Sequence, residues 1–97
     1  MVGKIIWTIR AKEELFEILE YWNERNGSSS YSVKLNKLIL NNLLKLIKRP
    51  HSGRPTDIQN VRVKLVNRYF VYYEVIAANI YVLSIRHEKR NPETLDL

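Results

Sequence analysis

At 97 residues, with 45% hydrophobic and 27% charged side chains, the chain can close one core and is too apolar to stay disordered. It contains no cysteine, which excludes a disulfide framework, a zinc ribbon and a CxxC redox centre. Sixteen Lys and Arg against ten Asp and Glu leave a net charge of +6, which favours an anionic partner.

The opening MVGKIIWTIR has neither the order of a secretory leader nor the length of a membrane span. Asn41, Asn42 and Lys45 interrupt the most apolar later stretch, so a soluble, cytoplasmic chain without membrane contact is expected. Lys4 to Arg10 is rich in β-branched and aromatic residues and predicts a first strand. From Ala11 the period changes: Ala11, Leu15, Ile18, Leu19 and Trp22 recur at helical spacing, with Glu13, Glu17, Glu20 and Glu24 on the wet side. Asn26-Gly27 supplies a left-handed stop.

Any of Ser28, Ser29 and Ser30 can cap a second helix, whose apolar positions run from Tyr31 through Leu35, Ile39 and Leu43 to Ile47. Pro50 ends it. The short link predicts an antiparallel helix hairpin. A loop from His51 to Gln59 follows, and then three strand-like runs: Val61 to Val66, Tyr69 to Ile76 and Ile80 to Arg86. Ala77-Ala78-Asn79 makes a tight turn, and short links make these strands antiparallel. His87 to Leu97 reads as an irregular polar tail.

One α+β domain spanning 1–97 is therefore expected: an N-terminal strand, a helix hairpin, then three antiparallel strands in one sheet covered on one face by the helices. In this reading Val61, Val63 and Leu65 face the helices. Arg62, Lys64 and the residues after the last strand occupy the other face or its rim.

The charge is clustered. From Lys45 to Arg68 seven basic residues (Lys45, Lys48, Arg49, Arg54, Arg62, Lys64, Arg68) accompany one acid, Asp57, a surplus equal to the whole net charge. Such a patch suits nucleic acid, a nucleoprotein particle or an acidic peptide; its plain alternative is a solvated surface. Arg62 and Lys64, two apart in a strand, project together, either to hold a phosphodiester or carboxylate or as part of a wet sheet face. His87, among Arg86, Lys89 and Arg90, is of the type that takes a proton near neutral pH, although a lone exposed histidine is more often a bystander. Tyr69, Tyr72, Tyr73 and Tyr81 either stack on bases or fill the core, and alternation makes some of them core in any case. There is no GxGxxG and no GxxxxGK[ST], and His51 and His87 lack paired ligands, so neither a cofactor nor a metal is expected.

Three segments carry a family likeness. IIWTIRAKEELFEILEYW resembles the strand-into-helix opening of RelE/ParE toxins, and IKRPHSGRP resembles their Pro-x-x-Gly turn. VRVKLVNRYFVYYEVIAANIYVLSIRHEKRNPE resembles their sheet and the His and Arg beyond it. The resemblance implies the toxin of a type II toxin-antitoxin module, neutralised by a cognate antitoxin that threads along its surface. It also implies one of two targets: a ribosome whose mRNA is cut (RelE-like) or DNA gyrase, poisoned without chemistry (ParE-like).

A nuclease would use His87, Arg62, Lys64 and Arg90 as its catalytic set. Target or antitoxin binding would draw on Arg54, Arg62, Lys64, Arg68, Arg86, Lys89 and Arg90. The nuclease branch carries a third-strand arginine where this chain has Tyr69 or Phe70, with Arg68 only beside it. Its C-terminal tyrosine is also missing, since nothing after Tyr81 is tyrosine. Both departures count against RNA cleavage, and the short tail with His87 and Arg90 resembles the ParE-like branch. A non-toxic RNA-binding module is the third reading of the same basic surface.

Overall fold

A computed structural model describes residues 3–89. Strand β1 (Ile5–Trp7) is shorter than the sequence suggests, because Thr8 leaves the sheet to start helix α1 (Ile9–Asn26). The Thr8 hydroxyl accepts the Ala11 N–H at 3.1 Å and donates to the Val82 carbonyl at 3.0 Å, so one side chain caps the helix and fastens it to the sheet. Gly27 ends α1 at φ 65°, in the left-handed conformation expected of it.

Helix α2 (Ser30–Lys48) follows Ser29 and buries Leu35, Ile39, Leu43 and Leu46. Each such side chain contributes about 1.5–3 kcal/mol by leaving water. Among the described residues no helix is long and apolar enough to cross a membrane.

Four further strands complete the sheet: β2 (Arg54–Pro55), β3 (Val61–Val66), β4 (Tyr69–Ile76) and β5 (Asn79–His87). Their order is β1-β5-β4-β3-β2. The three main strands are antiparallel neighbours, as their spacing predicts. Two pairings are not visible locally. β1 joins β5 in parallel, and β2, within the segment expected to be loop, pairs with β3. His87, expected in the tail, is the last residue of β5 and pairs with Tyr69.

The register settles which side of the sheet is which. Val66, Lys64 and Arg62 lie opposite Tyr69, Val71 and Tyr73, and directly paired residues share a face. Those three β4 residues belong to the core with Leu35, Ile39 and Leu43, so Arg62 and Lys64 stand on the helix-bearing side. The sequence reading had them on the other side; it is Val61, Val63 and Leu65 that share the opposite face with Phe70, Tyr72 and Glu74. Alternation divides a strand into two sets, but only long-range pairing tells which set meets the helices.

Between Tyr72 and Tyr73 the β4–β5 register shifts. Tyr72 pairs with Ser84 and Tyr73 with Val82, so Leu83 is an additional residue in β5. Beyond this bulge Ile85 and His87 return to the helix-bearing side, while Ser84 and Arg86 lie opposite Tyr72 and Phe70 on the other.

Candidate functional site

Strand geometry disperses the basic residues singled out by the sequence. Arg62 points into the turn after α2, where its Nη1 donates to the Gly53 carbonyl at 2.7 Å and the His51 carbonyl at 3.2 Å. The same turn is held by Tyr73, fully buried, whose hydroxyl donates to the Pro50 carbonyl at 2.8 Å and accepts the Gly53 N–H at 2.9 Å. Burial pushes the Tyr73 hydroxyl above its ordinary value near 10.0, a rise that the Gly53 N–H and the Arg62 charge partly oppose. Lys64 is half-buried beside Val71, and Arg54 is exposed in β2.

The second group lies at the other end of the sheet. Arg68, in the β3–β4 turn, is 3.5 Å from Glu88, and the Glu88 N–H donates to the Arg68 carbonyl at 2.8 Å. The Lys89 N–H donates to His87 Nδ1 at 3.1 Å, and the His87 ring meets Tyr69 edge to face at 5.3 Å. Arg86 is buried, with Nε donating to the Ser84 hydroxyl at 3.1 Å and its guanidinium 5.6 Å from the centre of the Tyr72 ring. Arg90 lies outside the described residues. Strand spacing puts the backbones of Arg62 and His87 roughly 16 Å apart, and those of Lys64 and His87 roughly 12 Å. The expected convergence of cations on one face is therefore corrected: Arg62 is bound at the turn after α2, Arg86 lies with His87 toward the other end of the sheet, and Arg54 stands at an edge.

What the fold does assemble is a cleft of about 460 Å³ between α1 and the end of β5. α1 contributes Glu14, Glu17, Ile18, Tyr21 and Trp22; the sheet contributes Tyr69, Ile85, Arg86 and His87. Its polar anchor is Glu14. One carboxylate oxygen accepts the Ser84 hydroxyl at 2.7 Å and the Ile85 N–H at 3.2 Å; the other lies 3.8 Å from Arg10. The Trp22 indole N–H donates to the Tyr69 hydroxyl at 2.7 Å, and burial raises that hydroxyl above its ordinary value. Tyr21 and Trp22 meet edge to face at 5.1 Å.

The sequence reading missed Glu14. Its signal was there: Glu14 stands three residues after Ala11 and four before Ile18, within the stripe that turns inward rather than on the wet side. Trp22 stood in the apolar stripe, but its bond to Tyr69 and the place of Ser84 had no local signal, because the cleft and the bulge depend on distant pairings.

Comparison with known proteins fits this architecture. A family model described as the ParE toxin of type II toxin-antitoxin system, parDE, matches residues 5–92. No curated protein sequence matches the chain. Among solved structures, the fold is similar to a chain of the chromosomal ParDE toxin-antitoxin system from P. aeruginosa, with a TM-score of 0.75 and 20% identity over 88% of this chain and 95% of that one. It is also similar to the isolated E. coli RelE toxin, with a TM-score of 0.59 and 16% identity over 94% of this chain and 89% of that one.

Proposed function

Because the chain belongs to the ParE toxin family of type II toxin-antitoxin systems, we propose that it is a growth-inhibiting toxin that acts in the cytoplasm by poisoning DNA gyrase and is neutralised by a cognate antitoxin. The mode of action is binding rather than RNA cleavage. Cleavage without a metal needs a base, an acid and cations around one phosphodiester. The observation that carries the reading is the dispersal of that set: Arg62 is bound to two backbone carbonyls, and its backbone and that of His87 stand roughly 16 Å apart across the sheet.

The test is to purify the chain and assay it in parallel against gyrase with supercoiled DNA and against translating ribosomes with mRNA. Accumulation of DNA cleavage complexes with intact mRNA is expected. Cut mRNA with unaffected gyrase would replace this reading by ribosome-dependent cleavage. Normal growth on overexpression without the antitoxin would leave a non-toxic binding module.

A further inference from the structure

We infer that two copies of this chain associate about a twofold axis through the outer face of the helix hairpin, with α1 of each copy lying against α2 of the other. The inference does not depend on gyrase being the target.

The face is apolar where a helix surface is ordinarily wet. Phe16 is 62% exposed on α1, and Val33, Leu40 and Leu44 are 50%, 36% and 54% exposed on α2. Val33, Leu40 and Leu44 stand seven and four residues apart and so share one ridge of their helix. An open groove of about 380 Å³ runs between the helices, and its lining includes Trp7, Leu15, Phe16, Leu19 and Leu40. Contiguous apolar surface rimmed by charged side chains marks an interface.

The charge of the face selects the occupant. α1 carries five acids and three bases, whereas α2 carries four lysines and no acid. A patch with one sign on one helix and the other sign on its neighbour is complementary to itself when turned half round. Two twofold axes can stack such hairpins face to face. The axis perpendicular to the helices sets α1 on α1 and α2 on α2, acid on acid and base on base. The axis parallel to them sets each α1 antiparallel on α2 of the second copy, acid on base. Electrostatic complementarity takes the parallel axis.

That axis also fixes the contacts, because it keeps every residue at its own height along the hairpin. Phe16 and Leu40 line one groove, so Phe16 meets Leu40 of the second copy. One turn nearer the link between the helices, Glu20 meets Lys37 of the second copy, and symmetry makes each contact twice. Glu20 and Lys37 are exposed and have no ion pair among the described residues. Helices of 18 and 19 residues side by side present a face roughly 27 Å long and 20 Å wide. That area stands at the low end for specific interfaces, so the dimer is a concentration-dependent one in the micromolar range.

Sedimentation equilibrium of the full chain at low salt, from about 1 to 300 µM, tests the arrangement. The apparent mass is expected to rise from 11.5 kDa towards twice that value. Phe16→Ser, Glu20→Lys and Lys37→Glu should each weaken association about tenfold, with the circular dichroism of the parent, because all three side chains are exposed. Glu20→Lys combined with Lys37→Glu should restore association to within about threefold of the parent. A monomer at every concentration, a dimer indifferent to Phe16→Ser, or no rescue by the double exchange would each overturn the inference.

Discussion

Arg62 donates to the carbonyl of Gly53 at 2.7 Å, across nine residues of chain, and so closes the turn that follows α2. A residue whose type suggests phosphate binding is thereby tied to backbone. Arg62→Ala should lower stability by about 1.5–3 kcal/mol, the range for charged hydrogen bonds, and Arg62→Lys should not restore it, because a lysine lacks the planar fork. Urea denaturation of both variants checks this, and equal stability of Arg62→Lys and the parent chain would contradict the assignment.

Gly53 is held against the same turn from the other side. A Cβ built there would collide with the Tyr73 hydroxyl and lie 2.9 Å from the Val63 carbonyl, so neighbouring backbone must move. Gly53→Ala is expected to cost about 2 kcal/mol or more by overpacking. Tyr73→Phe relieves the clash with the hydroxyl but leaves the Gly53 N–H and Pro50 carbonyl without partners, and should itself cost about 1–3 kcal/mol. The double variant should then be less destabilised than the sum of the two singles, which a double-mutant cycle measures.

The raised hydroxyls of Tyr69 and Tyr73 make stability depend on alkaline pH. Each holds its proton to a higher pH when folded than when unfolded, so between the ordinary value near 10.0 and the folded value the native state binds more protons. Stability is fully present below pH 10, then falls as pH rises through that window. Denaturation midpoints measured from pH 8 to pH 11.5 should be flat for these groups at first and decline above about 10. Tyr73→Phe should make the decline shallower.

The β4–β5 turn stores strain. Ala77 and Ala78 both sit at positive φ, 50° and 68°, where a Cβ is unfavourable by about 1 kcal/mol or more per residue. Two-residue hairpins of this kind favour Asn-Gly. Replacing the pair by Ala77→Asn and Ala78→Gly should raise stability by about 1–2 kcal/mol, seen as a Tm several degrees higher. An unchanged or lower Tm would show the strain to be relieved elsewhere.

Glu14 joins helix to sheet at the bulge. Glu14→Ala removes the acceptor for the Ser84 hydroxyl and the Ile85 N–H, both part-buried. A loss of about 2–3 kcal/mol is expected, together with faster hydrogen exchange at the Ile85 amide. Glu14→Gln keeps one acceptor oxygen and should recover part of the loss.

The chain's local chemistry was enough for both helices, the first strand, the three main strands and the family resemblance, though not for β2. Helical spacing of Ala11, Leu15 and Ile18, the stops at Gly27 and Pro50, and the turn at Ala77-Ala78 are short-range signals, because they depend on backbone angles and on the 3.6 and 2.0 periods. The side on which Arg62 and Lys64 project was decided only by tertiary pairing. Their facing residues Tyr73 and Val71 lie on another strand, and the core claims that strand's odd-numbered set. The parallel partner of β1, the extra residue Leu83 and the cleft beside Glu14 are of the same kind. Each joins segments about 70 residues apart or shifts a register, and no window of sequence holds both partners of such a contact.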